Sequence, residues 1–377
     1  MSDNKSLDNK NRFSNNFDFL RILAAFLVIF SHSFPLSTGS YNGEPLVSLS
    51  GGSFTLGNLG VMVFFVISGY LITSSWLRKP RFSGFFKNRI LRIIPGLFGV
   101  AIVTIFVIGP FVTIIPLVDY FKNPWTWWYF HIVTIYYSWG WLPGVFVNNV
   151  NPNDVNGSLW ILGLLFTMYI IVFILGFIGF LKKKVIALTI TILLAVSYLM
   201  NYNGTNKVSF FAFSKPVFDL IYYNKLVWML SLDLTFGTIL FMIGVLFYLY
   251  RDRIKYDVRI CVFLSVLWIL SLNTPLFSLV SFIALPYVIL FIAFARIPYL
   301  NKVGKYGDFS YGLYIYAFPI QQSVEHFIPG ISVLSMFLLS SLIVIPVSIL
   351  SYKLLEERAL KLKDVKIKNF TFFKSLN

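Results

Sequence analysis

The chain has 377 residues, of which 57% are hydrophobic, 19% aromatic and only 12% charged. Soluble domains carry about twice that charged fraction, so the composition excludes an ordinary soluble protein and indicates a polytopic membrane protein. The formal net charge of +16 does not indicate nucleic-acid binding, because the basic residues lie in short loops between apolar runs, the pattern that orients membrane proteins.

The apolar runs are long enough to cross a roughly 30 Å hydrocarbon core as helices, and the weak alternation of a membrane β-barrel is absent. We therefore predict an all-α polytopic transmembrane bundle of about ten helices, formed by residues 17–355. A polar N-terminal tail (residues 1–16) precedes it and a basic C-terminal tail (356–377) follows. The predicted helices span about 17–36, 57–77, 91–115, 158–180, 185–200, 226–250, 258–272, 276–295, 309–327 and 331–353.

Between the third and fourth helices lies the segment NPWTWWYFHIVTIYYSWGWLP. Its density of Trp and Tyr is typical of a membrane interface, so we predict an interfacial or re-entrant helix there and no further crossing. With that topology all but four of the 31 Lys and Arg residues fall on one side, which predicts that both termini are cytoplasmic. The four exceptions are Lys122, Lys207, Lys215 and Lys225.

The first helix, within NNFDFLRILAAFLVIFSHSFP, carries Arg21 near its start and His32 near its end. Eleven residues correspond to about 16 Å of rise and three turns plus roughly 20°, so both lie on one face at two depths. Ionisable side chains inside a spanning helix are costly and by default indicate function. A neutral imidazole is suited to take a proton from a hydroxyl. Arg21 as a headgroup anchor and His32 as a packing residue remain the alternative.

A basic loop follows the second helix and ends in KNRILRIIP. Arg89 and Arg92 are three residues apart and would share a helix face. Guanidinium groups bind phosphates bidentately, so this pair is a candidate site for a phosphorylated cytoplasmic donor, although such arginines also serve topology alone. In the second helix Ser68, Gly69 and Tyr70 combine small residues, which favour close helix packing, with a polar tip.

The segment LPGVFVNNVNPNDVNGSLW precedes the fourth helix and contains turn-forming Asn-Pro and Asn-Gly pairs. Asn156 or Ser158 could cap that helix. Alternatively Asp154, Asn156, Ser158 and Trp160 form a polar rim that holds a sugar on the outer side, with Trp160 as a stacking surface.

The sequence predicts no metal site. Cys261 is the one cysteine, and the three histidines are too scattered for a metal-ligand spacing. Asp233 is a further charge within a predicted span and a functional candidate by default.

Five segments together resemble the acyltransferase-3 family of bacterial membrane O-acyltransferases over roughly residues 15–360. In order they are FDFLRILAAFLVIFSH, GVMVFFVISGYLIT, FFKNRILRIIP, LPGVF followed by NGSLW, and GDFSYGLYIYAFPIQQ. The resemblance implies a ten-helix enzyme that transfers an acyl group, usually acetyl, from cytoplasmic acyl-CoA to an extracytoplasmic glycan or lipid-linked sugar. By that analogy Arg21 and His32 are the catalytic pair of the first helix. Arg89 and Arg92 bind acyl-CoA, and we count Ser68 and Tyr70 with them.

Three positions depart from the pattern of many relatives. Asn88 stands where many have the first arginine of a pair, Leu165 where many have glutamate, and Ala317 where histidine is common.

The resulting expectation is acetyl transfer from acetyl-CoA, a co-substrate with no permanently bound cofactor, to lipopolysaccharide O-antigen or exopolysaccharide, in the bacterial inner membrane. A transporter or flippase that uses Arg21 and Asp233 is the alternative, and the absence of inverted repeats counts against it. A lipid-linked glycan polymerase or ligase is a third class.

Overall fold

The structure is a computed structural model that describes residues 15–136, 140–201 and 232–364. Ten long helices form the described bundle, and strands are absent from these ranges, as the sequence predicted. The first five are α1 (Phe17–Thr38), α2 (Leu56–Arg78), α3 (Phe82–Val103), α4 (Trp160–Phe177) and α5 (Lys184–Asn201). The second five are α6 (Leu232–Leu249), α7 (Val258–Ser271), α8 (Phe277–Phe294), α9 (Ser310–Phe327) and α10 (Val333–Ser351).

Six of these helices, α1, α2, α3, α4, α8 and α10, are long and apolar enough to cross a bilayer within the described ranges, while α5, α6 and α7 are shorter apolar helices. The remaining long helix, α9, is less apolar and is buried along most of its length. Other helices therefore shield its polar side chains from lipid, which is where a spanning helix tolerates them.

α1 and α2 form the centre of the bundle. α2 packs against α1 and α6, and α1 also packs against α9 and α10. A side chain at Gly69 of α2 would place its Cβ 2.0 Å from the carbonyl oxygen of Phe241 in α6. Small residues permit this close backbone approach in membrane bundles, so the packing interpretation of Gly69 is confirmed.

The start of α1 is fixed to the end of α8. Asn16 is buried, and its Nδ2 donates hydrogen bonds to the carbonyl oxygens of Ile292 (2.7 Å) and Ala295 (2.8 Å). The residues before Asn15 lie outside the described ranges. At the other terminus, a π-helical turn (Tyr352–Glu356) and a short helix (Glu357–Lys361) continue α10, and Glu356 is fully buried. The packed bundle thus includes Asn16 and Glu356 at its two ends.

The predicted start of α3 near residue 91 is wrong, because the helix begins at Phe82. Its basic residues indicated a loop by their charge, but Lys and Arg are good helix formers and here occupy the first turns of the helix. Beyond Val103 a π-helical segment (Thr104–Ile108) and a final turn (Gly109–Val112) continue it.

The tryptophan-rich segment does not cross the bundle. It consists of two short helices, Leu117–Lys122 and Pro124–Trp128, and a 3₁₀ segment, Tyr129–Thr134. Each is far shorter than the roughly 20 residues that a spanning helix needs. The prediction that this segment adds no spanning helix is confirmed for its described part.

Candidate functional site

The first cluster of functional side chains lies where α1, α3 and α9 meet. Arg21 Nη1 is 2.9 Å from Asp308 Oδ2 and 3.1 Å from Asp18 Oδ1. Arg92 Nη2 is 2.5 Å from the same Asp308 Oδ2. We call Asp18, Arg21, Arg92 and Asp308 the arginine cluster. One carboxylate thus connects two arginines that are predicted to have separate roles.

Asp308 also fixes the start of α9. Its Oδ1 accepts a hydrogen bond from the Ser310 hydroxyl, and its backbone carbonyl accepts one from Arg92 Nη2 at 3.2 Å. An acidic side chain at a helix N-terminus is favoured by the helix dipole. Asp308 therefore holds α9 in register with α1 and α3.

Asp308 is charged at neutral pH. Burial opposes its ionisation, but the guanidinium groups of Arg92 and Arg21 and the hydrogen bonds from Ser310 outweigh burial and hold the pKa of Asp308 well below its usual range. A carboxyl group whose pKa is lower in the folded state than in the unfolded chain stabilises the protein when the pH is above the unfolded pKa, near 3.9. This contribution is lost as the pH falls below that pKa. The cluster is therefore fully formed at neutral pH.

A second buried carboxylate lies close to this cluster. Glu356 attracts Arg92 and also interacts with the side chain of Ser351 at the end of α10. Its π-helical turn is a form of backbone found frequently at functional sites. Sequence reasoning missed both Asp308 and Glu356. Asp308 could have been found, since it lies within the segment GDFSYGLYIYAFPIQQ.

Arg89 is in a different environment from Arg92, although both lie on α3. Its guanidinium is 3.8 Å from the centre of the Phe85 ring, and Nη1 donates to the Phe85 carbonyl oxygen at 2.5 Å. Within the described ranges no carboxylate is in salt-bridge distance of Arg89, and its buried Nε has no acceptor. Arg89 therefore keeps an uncompensated positive charge, whereas the charge of Arg92 is neutralised.

Ser68 and Tyr70 do not join the arginine cluster. The Ser68 hydroxyl accepts a weak hydrogen bond from the Tyr169 hydroxyl at 3.5 Å. Tyr70 is buried among aromatic rings, with the centres of Tyr248 and Phe294 at 5.2 and 5.4 Å from its own. Tyr70 packs α2 against α6 and α8, and its assignment as an acyl-CoA ligand stays a prediction, as does that of Ser68.

A cavity lies at the other end of α1, around His32. Ten residues line it: Val28, Ser31 and His32 of α1, Tyr41, Thr55 just before α2, Gly57 and Val61 of α2, Ser158, Trp160 and Tyr314. We call it the His32 cavity. Two residues that the sequence analysis placed at the acceptor rim, Ser158 and Trp160, thus share a cavity with the predicted catalytic histidine.

Packing fixes the orientation of His32. Its side chain is only 9% exposed, and the edge of its ring meets Phe318 at 5.5 Å between ring centres. Nδ1 is enclosed and has no hydrogen-bond partner within the described chain. Nε2 is consequently the ring nitrogen that is available to a molecule in the cavity.

Asn156 and Ser158 do not cap α4, so the capping alternative is wrong. The residue before α4 is Leu159, and no side chain accepts from the first amides. Instead Asn156 Nδ2 donates to the Ile315 carbonyl (2.9 Å), the Ser158 hydroxyl donates to Asn156 Oδ1 (2.8 Å), and the Tyr314 hydroxyl donates to the Ser158 carbonyl. The NGS sequence is therefore attached to α9, which positions Ser158 in the cavity wall.

Gln322, which sequence reasoning also missed, holds the preceding part of this loop. Its Nε2 donates to the carbonyl oxygens of Asn151 (2.8 Å) and Asp154 (2.6 Å), and its Oε1 accepts from Asn149 Nδ2 (2.8 Å). A buried glutamine inside an apolar helix could have served as the signal, because buried polar groups need partners. α9 thus connects the arginine cluster at one end with the His32 cavity and its loop at the other.

Asp154 lies next to the cavity rather than in it. Burial raises the pKa of Asp154 to about 6, against the hydrogen bonds from Asn151 and the Asn156 backbone, which lower it. Asp154 packs closely against Gly157, which has no side chain. A Cβ atom added at Gly157 would lie 2.3 Å from Asp154 Oδ2 and would also contact Phe318. Asp154 therefore supports the loop beneath Ser158, and a direct contact with the acceptor stays a prediction.

The raised pKa of Asp154 gives a testable pH dependence. The pKa of this carboxyl group is near 3.9 in the unfolded chain and about 6 in the folded protein. Between these two pH values the folded protein binds more protons than the unfolded chain, so ionisation of Asp154 destabilises the fold as the pH rises. We expect that the loss of melting temperature from pH 4.5 to 7 is smaller in Asp154→Asn than in the wild type. The exposed Asp119→Asn is the control and should keep the wild-type dependence. Parallel pH curves for Asp154→Asn and the wild type would contradict the assignment.

Among the described residues no group of three His, Cys, Asp or Glu side chains is arranged to bind a metal ion. Asp233, the intramembrane charge of the transporter alternative, lies outside the part of the chain whose side chains the structure describes.

Comparison with known proteins gives a family and two relatives. The acyltransferase-3 family model, described as an acyltransferase domain, matches residues 14–353. An O-acetyl transferase of Shigella phage Sf6 is 28% identical over 378 residues, which cover 94% of this chain and 98% of that protein. Nodulation protein 10 of Rhizobium leguminosarum bv. viciae is 29% identical over 249 residues, 58% of this chain and 65% of that protein. No solved structure matches the chain significantly.

Proposed function

The chain belongs to the acyltransferase-3 family, and from that premise we propose that this membrane acyltransferase is an O-acetyltransferase of the bacterial cytoplasmic membrane. It transfers an acetyl group from cytoplasmic acetyl-CoA to a hydroxyl of an extracytoplasmic polysaccharide, such as lipopolysaccharide O-antigen or exopolysaccharide. Its relative from phage Sf6 is named an O-acetyl transferase, which supports the acetyl group as the one transferred.

The observation that supports this proposal most is that α1 has charged residues at one end and a cavity at the other. The arginine cluster lies at one end and the His32 cavity at the other, about 16 Å away. Between them the same face of α1 carries the small side chains of Ala25 and Val28, which neighbouring helices bury in this structure, so an arm on this face requires those helices to separate. A thin pantetheine arm running along this face would bring a thioester to His32 while the nucleotide stays at the basic end.

At the basic end Arg89 is the best candidate for the donor phosphates. Phosphate recognition needs an available cation, and Arg89 has no carboxylate partner in the described ranges, while Arg21 and Arg92 share Asp308. We assign Arg89 to the donor and Arg92 to the positioning of α3 against α9. Arg21, joined to the same carboxylate, fixes the start of α1 relative to both.

At the other end His32 acts as general base. Its Nε2 takes the proton of the acceptor hydroxyl as the hydroxyl oxygen bonds to the thioester carbonyl carbon. The carbon–sulfur bond then breaks, and the thiolate takes that proton to leave as CoA thiol. General bases of this kind contribute roughly 10²- to 10⁴-fold to a rate. Trp160, half-buried in the same wall, offers an aromatic face to the sugar.

The assignment of the donor phosphates to Arg89 predicts a specific effect of its substitution. Arg89→Ala should raise the KM for acetyl-CoA roughly 10-fold, the equivalent of one charge-assisted hydrogen bond, with little change in kcat or melting temperature. Arg81→Ala removes a charge from an exposed residue just before α3 and should leave the KM unchanged. Steady-state kinetics with acetyl-CoA as the varied substrate measure both. An unchanged KM in Arg89→Ala would assign the donor phosphates to other residues.

The proposed activity is tested most simply on the glycan. The surface polysaccharide of a strain that lacks the gene, compared by mass with that of the wild type, should lose one acetyl increment per repeat. Identical masses, together with no release of CoA by the purified protein in lipid, would exclude the proposal.

A further inference from the structure

The hydroxyl of Ser31 is a buried polar group without a partner, next to His32. Ser31 is fully buried, lines the His32 cavity, and its Oγ has no hydrogen-bond partner within the described chain. Gly57 of α2 faces it, and a Cβ there would lie 3.0 Å from Ser31 Oγ. An unsatisfied buried hydroxyl destabilises a fold, so its presence in this cavity requires an explanation.

In the described chain Ser31 shares a buried, unpartnered hydroxyl with Ser37 and Ser341, which do not line the cavity, and it differs from most of the hydrogen-bonded serines and threonines in these helices. Such residues commonly donate to the carbonyl four positions earlier, as Ser33 does to Ile29 (2.9 Å) and Thr73 to Gly69 (2.8 Å). Ser33 in addition accepts a hydrogen bond from Gln321 Nε2 at 2.9 Å. Ser31 makes neither contact, although it lies only two residues before Ser33 on α1.

The other Ser and Thr hydroxyls of the cavity wall in the described chain have acceptors for their protons. The Thr55 hydroxyl donates to Asn58 Oδ1 and the Ser158 hydroxyl to Asn156 Oδ1, while the Tyr314 hydroxyl donates to the Ser158 carbonyl. Ser31 is therefore the serine of the cavity wall, within the described chain, whose hydroxyl proton has no acceptor, and it shares that wall with His32.

We propose that Ser31 is a catalytic residue that donates a hydrogen bond to the carbonyl oxygen of the acyl group. This inference rests on the proposed acetyl transfer. When the acceptor oxygen bonds to the thioester carbon, the carbonyl π electrons move to its oxygen, and the Ser31 hydroxyl stabilises that negative charge. The electrons return as the carbon–sulfur bond breaks, and Ser31 keeps its proton throughout. Donors placed at a developing oxyanion commonly provide a large part of acyl-transfer catalysis.

The geometry favours a donor over a nucleophile. Neighbouring residues on a helix point about 100° apart, and Ser31 and His32 do not hydrogen-bond to each other, so His32 is not positioned to deprotonate Ser31. The two side chains instead reach one cavity from adjacent directions, which allows His32 to take the proton of the acceptor hydroxyl while Ser31 faces the oxygen of the carbonyl group that this hydroxyl attacks.

The test compares Ser31→Ala with Ser33→Ala in protein reconstituted with acetyl-CoA and the unacetylated glycan. Ser31→Ala should lower kcat about 10²-fold, leave the KM for acetyl-CoA unchanged, and keep or raise the melting temperature, because an unsatisfied hydroxyl has been removed. Ser33→Ala loses hydrogen bonds to Ile29 and Gln321, and should show the opposite pattern of a lower melting temperature with retained kcat.

Wild-type kcat in Ser31→Ala would overturn the inference, and so would an acetyl ester on Ser31 detected by mass spectrometry of the trapped enzyme, since that would make it the nucleophile. Ser31→Cys, which keeps the volume but weakens the donor, should be intermediate. If the wild type itself transfers no acetyl group, the proposed function fails first. If the wild type is active and Ser31→Ala equals it, only the role of Ser31 fails.

Discussion

Replacing Asp308 with asparagine is expected to destabilise the protein more than any other single change at its charged sites. The substitution leaves the guanidinium groups of Arg21 and Arg92 facing a neutral side chain where each now lies within 3 Å of a carboxylate oxygen. Removing one partner of a buried ion pair costs about 3–5 kcal/mol. The melting temperature and the yield of folded protein in detergent should both fall, and transfer activity should fall with them.

Two further variants separate charge from packing in this prediction. Asp18→Asn removes the more exposed partner of Arg21, which keeps Asp308, and should cost no more than about 1 kcal/mol. Adding Arg92→Gln to Asp308→Asn removes the excess positive charge and should restore part of the stability. A melting temperature of Asp308→Asn equal to that of the wild type would show that the cluster is not what joins α1, α3 and α9.

Replacing His32 with alanine is expected to reduce acetyl transfer by roughly 10²- to 10⁴-fold while the protein stays folded. The physical reason is that no other histidine lines the cavity in the described chain, so the acceptor hydroxyl loses its base. Release of CoA from acetyl-CoA in the presence of glycan measures the effect.

His131→Ala is the matched control for His32. That ring is stacked on Trp128 at 3.7 Å, in the segment that does not cross the bundle, and its loss should leave transfer intact. Turnover in His32→Ala at the wild-type rate would remove His32 from the mechanism.

Most of the helices were predictable because they are apolar runs, and length and hydropathy are local properties of a sequence. The start of α3 was not, because charge was taken as the mark of a loop. Arg89 and Arg92 instead lie on the helix, where Lys and Arg are readily accommodated. The continuation of α10 past residue 353 was not predicted for the same reason, since its residues there include charged ones.

The two ends of the site differ in how much of each was predictable. Arg21, His32, Ser158 and Trp160 carry chemical signals of their own, and the structure brings the last three into one cavity. The pairing of Arg21 with Asp308 joins residues 287 positions apart, and nothing local to either residue identifies such a partner.

Hydrogen-bond partners explain why the sequence did not predict the roles of Asn156 and Ser31. Asn156 was a plausible helix cap from its position before an apolar run, yet its side chain bonds to the α9 backbone. The carbonyl of Ile315 became available to it through the packing of α9 against the loop. Ser31 was not predicted from the sequence because serine is common in membrane helices. Its proposed role depends on the absence of a hydrogen-bond partner for its hydroxyl in the described chain.

In the proposed function, donor and acceptor bind at opposite ends of α1 and therefore on opposite sides of the membrane. Proteoliposomes sorted by orientation, with radiolabelled acetyl-CoA on one side and polysaccharide from the gene-deletion strain on the other, test it directly. We predict labelled polysaccharide only when acetyl-CoA is on the side of Arg89 and the polysaccharide on the side of Trp160. Transfer only when both substrates are on the same side of the bilayer would contradict it.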